Sequence, residues 1–251
     1  MADTIAVLSL KGGTGKTTTV RTLADVFRQS GLKVLTIDLD PQGNLSDYFD
    51  VPRDATPTVA DVLAGDAKAK EAVHDGVIPS SLNLAEVERA LSGKMGREVI
   101  LKKALKDLRR AYDVILIDCP PALGLLTING LVASDYALIS SEAQYFALQA
   151  VNGALELIEQ AREYYNDDLE FLGVLMNIAD MRTTHSRDAY TQLQEVFGEK
   201  VFASVIRSSI AYAESAEKAL SILEYRPDLG ADYLALADEV LSRIGRPQPL
   251  H

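Results

Sequence analysis

Cysteine, histidine and proline are all scarce in this chain. The single cysteine, Cys119, excludes an internal disulfide, and with only three scattered histidines it argues against a structural zinc site. Nine prolines and no low-complexity tract leave only the last residues, Arg246 to His251, as an expected flexible tail. No apolar run reaches the roughly 20 residues of a membrane span. The N-terminus also lacks a basic region followed by a long apolar segment, so a cytoplasmic protein is the simplest expectation. Positive charge is in deficit as well, with 25 Lys and Arg against 36 Asp and Glu and a formal net charge of −11. That balance disfavours a broadly basic nucleic-acid surface and leaves room for a local patch.

What is present is apolar enough for a sizeable core: 47% of 251 residues. We read residues 1–251 as a single α/β domain, a mostly parallel twisted sheet with helices on both faces. The organising stretch is Lys11-Gly-Gly-Thr-Gly-Lys-Thr-Thr18, which follows the apolar run Ile5–Leu10 and leads into a helical pattern. Glycines in such a loop let successive N–H groups turn toward an anion, and the helix behind them adds its positive end. The phosphate cradle comprises Gly12, Gly13, Thr14, Gly15, Lys16, Thr17 and Thr18, with Lys16 reaching outer phosphates and the Thr17 hydroxyl placed for Mg²⁺. The usual first glycine of a phosphate loop is replaced by Leu10, and an additional lysine, Lys11, stands at the loop's start.

A helix over Thr18–Ser30, stopped by Gly31, and a strand over Lys33–Asp40 complete a βαβ unit. Ligands bind at the carboxyl ends of such strands, which brings Asp38 and Asp40 beside the loop. Asp40 alone could also cap the turn before Pro41. Further strands are expected at Tyr112–Asp118, Asp135–Ser141, Leu169–Asn177 and Lys200–Ile206, with helices over Met95–Ala111, Ser186–Phe197 and Gly230–Ile244. Thr58–Leu63 and Ala67–Val73 read as helical, and Val77–Pro79 and Leu82–Leu84 as short extended pieces; no chemistry is evident between residues 51 and 95. The basic residues Lys102, Lys103, Lys106, Arg109 and Arg110 read as the solvated face of an amphipathic helix. Asn177, at a strand end beside Asp180, either reads an adenine edge, since an amide both donates and accepts, or shapes a turn.

Three ordered segments, KGGTGKTT, IDLDPQGNLS and IDCPP, resemble the deviant Walker A, switch I and Walker B/switch II motifs of the ParA/MinD group of P-loop ATPases, of the ParA/Soj partition type. The segment Glu142–Leu148 resembles a further segment of that family. The resemblance, running from Ile5 to about Ile244, implies an ATPase using ATP and Mg²⁺. It places Asp40 on the attacking water, Asp38 near the metal and Asp118 holding Mg²⁺ through a water, with Gly124 where the loop responds to the γ-phosphate. Ile206 and Ser208, flanking Arg207, align with the family's purine-binding turn. The resemblance further implies a homodimer with ATP sandwiched between subunits, and Lys11 crossing to the neighbour's phosphates. It implies a ParB-like or cargo-adaptor partner that stimulates hydrolysis. Non-specific, nucleoid-associated DNA binding would use Arg182, with Arg187 or Arg207 substituting for an arginine replaced here by Ile210. With ten residues before Lys11, no helix-turn-helix segment is expected, and the acidic C-terminal helix is unlike a membrane-targeting one. Alternatives are positioning of another cargo, such as a chemoreceptor cluster, or a metabolic P-loop enzyme that activates a small substrate.

Overall fold

A computed structural model describes residues 1–144 and 147–247. Its centre is a seven-stranded sheet built from β1 (Asp3–Leu8), β2 (Val34–Asp38), β3 (Val77–Ile78), β4 (Val114–Asp118), β5 (Tyr136–Glu142), β6 (Glu170–Ala179) and β7 (Val201–Arg207). The spatial order is β3-β2-β4-β1-β5-β6-β7, and every neighbouring pair of these strands is parallel. The inner strands β1, β2 and β4 read as nearly unbroken apolar runs because both faces are covered.

The helices are α1 (Lys16–Gln29), α2 (Asn44–Tyr48), α3 (Val59–Ala64), α4 (Leu84–Leu91), α5 (Ile100–Ala104), α6 (Leu125–Val132), α7 (Ala147–Tyr164), α8 (Thr184–Phe197), α9 (Ala211–Glu217), α10 (Ile222–Tyr225) and α11 (Pro227–Arg243). Two apolar clusters cover the sheet. One gathers α3–α8 against residues such as Leu35, Ile37 and Ile117. The other packs α1 and α11 against Ile5, Leu116 and Leu175, with Phe27 and Tyr233 fully buried.

Parts of the region before β4 depart from the expected pattern. The helix expected over Met95–Ala111 is three short pieces, two of them 3₁₀ turns at Arg97–Val99 and Leu108–Arg110. Leu101, Leu105 and Leu108 are still buried, so the inward spacing survives although the helix does not. Leu84, expected in an extended piece, begins α4, and Ala67–Val73 forms turns where a helix was expected. Tyr145 and Phe146 of the Glu142–Leu148 segment lie outside the described residues, as do residues 248–251 of the expected tail.

The amino-terminal rim of the sheet is stitched together. Arg109 donates to both oxygens of Asp135 at 2.6 and 2.7 Å, and Asp135 also accepts from Thr4 N–H. Arg246 pairs with Asp3 and donates to the Asp113 carbonyl, while the Asp113 carboxylate accepts from Lys33 N–H. Arg246, the first residue of the expected tail, is therefore anchored. The opposite rim, at the carboxyl ends, carries the loops of interest.

Candidate functional site

β1 ends into the loop, and α1 begins at Lys16 with Gly15 as its N-cap in the left-handed region at φ 78°. No side chain caps this end, so the first N–H groups of α1 stay available to an anion. Gly15 is needed for a second reason: a Cβ there would lie 2.7 Å from the Asn177 side-chain amide nitrogen. Around the loop, Thr14 Oγ1 donates to Ser9 Oγ, Ser9 Oγ to the Lys11 carbonyl, and Ser140 Oγ to the Thr14 carbonyl. The loop's shape is thus set by buried hydroxyls of β5 and its own flanks. At the position where other phosphate loops carry glycine, Leu10 packs against α7, where a Cβ on Gly153 would come within 2.5 Å of the leucine Cδ1.

A cleft of about 960 Å³ opens over this rim. Gly12 through Thr18 line it together with Asp40, Pro121, Asn177, Arg207 and Ser208. Lys16 is nearly buried, 6% exposed, and its ammonium has no carboxylate partner among the described residues. Asp40 accepts from Gln42 N–H through Oδ1, at 3.0 Å, and faces the cleft.

Beneath the loop, Asp38 and Asp118 end adjacent strands in register. Thr17 Oγ1 donates to Asp118 Oδ2 at 2.7 Å, while Asp118 Oδ1 is buried with no partner. An orphaned carboxylate oxygen beside a hydroxyl and next to an anion-binding loop fits a hard divalent cation such as Mg²⁺, which takes few protein ligands and fills its shell with phosphates and water. No cluster of three or more His, Cys, Asp or Glu that could hold a metal ion forms among the described residues. Both acids have raised proton affinity. For Asp118 burial comes first and repulsion by Asp38 second; for Asp38 burial again leads, opposed by hydrogen bonds from Ser46.

The structure fixes the surroundings of three expected site residues. Both Asp38 oxygens are committed, Oδ1 to Asp40 N–H and Oδ2 to the Ser46 N–H and hydroxyl, so Asp38 braces the Asp40 loop, and Asp118 Oδ1 is the carboxylate oxygen left open beside Thr17. Asn177 spends its amide internally, donating to Thr19 Oγ1 and Ser140 Oγ and accepting from Ile178 N–H. It braces the phosphate loop at the Gly15 carbonyl and also lines the cleft. The Ile206 side chain is buried in the core, whereas Ser208 lines the cleft.

Lys11 is apart from its own cleft. Its ammonium donates to Gln144 Oε1 at 2.6 Å and pairs with Glu142 at 3.4 Å, and the side chain remains 57% exposed. Arg182 forms a forked pair with Asp180, whose carboxyl is held below its ordinary range by those hydrogen bonds. Arg187 donates to the Met181 and Arg182 carbonyls, so these two arginines share one turn. Arg207, opposite Ala179 in the sheet, is paired with Asp232. Ile210 is 77% exposed.

The sequence reading missed Tyr212, which lines the cleft and packs edge to face, at 6.0 Å, on the fully buried ring of Tyr233. Their apolar helical spacing offered only a core signal. Glu88, whose carboxylate reaches the start of α6, lay in the stretch where no chemistry was found.

A family profile described as an AAA domain matches residues 2–171. The sporulation initiation inhibitor protein Soj of Bacillus subtilis is 37% identical over 249 residues, covering 96% of this chain and 98% of its own. Among solved structures, an ATP complex of McdA from Cyanothece superposes with a TM-score of 0.88 at 26% identity, covering 100% of this chain and 99% of that one. The Mycobacterium smegmatis protein described as cobyrinic acid a,c-diamide synthase, with bound ADP and magnesium, gives 0.79 at 36% identity, covering 89% and 96%.

Proposed function

Because the chain belongs to the ParA/MinD family of P-loop partition ATPases, we propose that it is an ATP-switched dimer that positions cargo and is reset by hydrolysis. The observation that carries this reading is Lys11. It does not line its own cleft, and it stays exposed on a short tether to Gln144 and Glu142. A cation so placed is available to a neighbour's phosphates, where it would neutralise transition-state charge as an arginine finger does. In each cleft the α1 N-terminus and Lys16 receive the phosphates, and Thr17 and Asp118 would hold Mg²⁺, which supplies charge neutralisation when bound. Asp40 faces the cleft from a braced loop and is positioned to orient a water for in-line attack. Tying assembly to the γ-phosphate makes nucleotide part of the interface.

The test is Asp40→Ala. With Mg²⁺ and ATP it should accumulate a species of twice the monomer mass in size-exclusion chromatography with light scattering, at concentrations where the ADP form is monomeric. A variant that stays monomeric while binding ATP refutes the sandwich.

DNA enters this reading through Arg182 and Arg187, whose partners are a surface carboxylate and loop carbonyls that a phosphate can replace. A stimulating partner of ParB or cargo-adaptor type and a nucleoid location complete the proposal. The Mycobacterium smegmatis likeness favours a second reading, a synthetase that activates a carboxylate. Amide synthesis with glutamine as nitrogen donor commonly needs a thiol nucleophile. The only cysteine here, Cys119, is fully buried, and burial raises its thiol far above the ordinary range. Turnover that strictly required a carboxylic acid acceptor would establish this second reading over the first.

A further inference from the structure

Glu88 sits on α4, in the stretch that carried no sequence signal, and reaches the start of α6. Its Oε1 accepts from Leu126 N–H at 3.2 Å. Leu126 is the second residue of α6, whose N-cap, Gly124, has no side chain to cap it, so the carboxylate serves one of the helix's orphan donors from outside. Gly124 lies against the same carboxylate oxygen. Its backbone, at φ −107° and ψ −179°, suits any residue, so conformation does not demand glycine. A Cβ there would fall 2.6 Å from Glu88 Oε1, the far end of a flexible side chain, so a methyl at Gly124 is accommodated only if Glu88 gives way.

The segment between Asp118 and α6 is the one expected to sense the γ-phosphate. Pro121 lines the cleft, whereas Gly124 is turned against Glu88 and does not. One N-terminal N–H of α6, that of Leu126, therefore already faces an anion. A γ-phosphate drawing this segment inward competes with Glu88 for the same end of the helix. The rest of α6 is fixed: Asn129 accepts from Leu101 N–H and donates to the Arg97 carbonyl, which confines movement to the helix start and the loop before it.

We propose that Glu88 is a positioning residue, a latch that holds the Cys119–Gly124 segment at rest until the γ-phosphate of bound ATP displaces it. The idea rests on the ATPase reading above. Freed of the latch, the segment reaches its ATP-bound position more often, so unstimulated hydrolysis rises.

The experiment compares Glu88→Ala, Glu88→Gln, Gly124→Ala and the Glu88→Ala/Gly124→Ala double variant with wild type. Steady-state kcat and KM for ATP are measured with Mg²⁺, together with hydrogen exchange of the Leu126 amide without nucleotide. Glu88→Ala and Gly124→Ala each raise kcat by about three- to tenfold, the range for losing one ordinary intramolecular hydrogen bond. KM changes less than kcat, and the Leu126 amide exchanges faster in both. Glu88→Gln, which keeps the acceptor and loses the charge, falls between wild type and Glu88→Ala. The double variant matches the single ones, because the methyl that Gly124→Ala adds acts only by displacing Glu88. Additive effects in the double variant, a lowered kcat in both single variants, or unchanged Leu126 exchange each overturn the latch.

Should a variant fail to fold, the wild type decides. Exchange of the Leu126 amide must accelerate or relocate when ADP is replaced by a non-hydrolysable ATP analogue with Mg²⁺, and identical exchange in the two states overturns the proposal. Wild-type protein that neither hydrolyses ATP nor changes mass with it counts against the ATPase reading itself, an outcome separate from a failed latch.

Discussion

Asp118→Asn should make the metal-free protein more stable while removing its response to Mg²⁺ and ATP. Asp118 is fully buried, its Oδ1 has no partner, and a second buried carboxylate, Asp38, stands beside it in register. Burial and that neighbour raise its proton affinity above the ordinary 3.8. The folded protein therefore binds more protons than the unfolded chain between that value and the raised one, and stability falls as pH rises through the window. Asparagine removes this loss and can still accept the Thr17 hydroxyl. Each tenfold change in proton affinity corresponds to about 1.4 kcal/mol, and shifts of this origin span one to several such steps, so about 2 kcal/mol of relief at pH 8 is a conservative figure. For a chain of this length that amounts to a Tm increase of about 4–8 °C. The assay is thermal unfolding by circular dichroism in EDTA from pH 5 to pH 9. The advantage of the variant should be smallest at the acid end, grow with pH and then level off. Replacing EDTA with excess Mg²⁺ and an ATP analogue should raise Tm of the wild type and leave the variant nearly unchanged. A variant less stable than wild type at pH 8 without divalent cations, or one with a full ligand-induced shift, would refute the reasoning.

Other expectations follow from the site. Lys11→Gln leaves ATP binding by the monomer within about twofold, because Lys11 lies outside its own cleft, and lowers concentration-dependent hydrolysis by at least about tenfold; equal losses in both assays would count against a role across the interface. Gly15→Ala is destabilising by about 2–4 kcal/mol in urea unfolding, since both the left-handed backbone and the Asn177 amide oppose a methyl there, and pairing it with Asn177→Ala should recover part of the loss. Arg182→Ala weakens ATP-dependent binding to duplex DNA and reduces its salt dependence, as read by fluorescence anisotropy at several ionic strengths; unchanged affinity at low salt would point to a surface other than the Asp180–Arg187 turn.

The parts of the site that were legible in the sequence are those in which local chain geometry dictates function. The loop Lys11–Thr18 and the acids ending β2 and β4 could be located because strand, turn and helix follow one another within a few residues, and parallel strands deliver their ends to one rim. The expected strands of the sheet were recognisable for a similar reason: runs buried on both faces leave a continuous apolar signal. Asn177 illustrates what was not legible. Its amide could serve a ligand or the protein, and the internal partners it finds, Thr19 and Ser140, are far away in sequence. Ile206 was assigned by alignment of a turn, but strand alternation and the packing of α11 turn its side chain into the core. The broken helix before β4 kept its inward leucines, showing that burial spacing can outlast the regular hydrogen bonding from which it is usually inferred. Glu88 was invisible because a lone glutamate on a short helix carries no pattern; only its distance to Gly124 gives it meaning.

The stitched amino-terminal rim has a practical corollary for handling the molecule. Asp3 and Arg246 meet there, so fluorophores or surface tethers placed near either residue project from the same side of the sheet. That side is separated from the phosphate loop by the full run of β1, about 20 Å at the usual rise per strand residue. A single-molecule tether attached there would pull on the interlocked end while leaving the cleft and the exposed Lys11 facing the other way. The same interlock sets a boundary for chain redesign: new termini are better opened on the surface between α7 and β6 than by cutting the Arg246 clasp, which ties Asp3 of β1 to the Asp113 carbonyl just before β4.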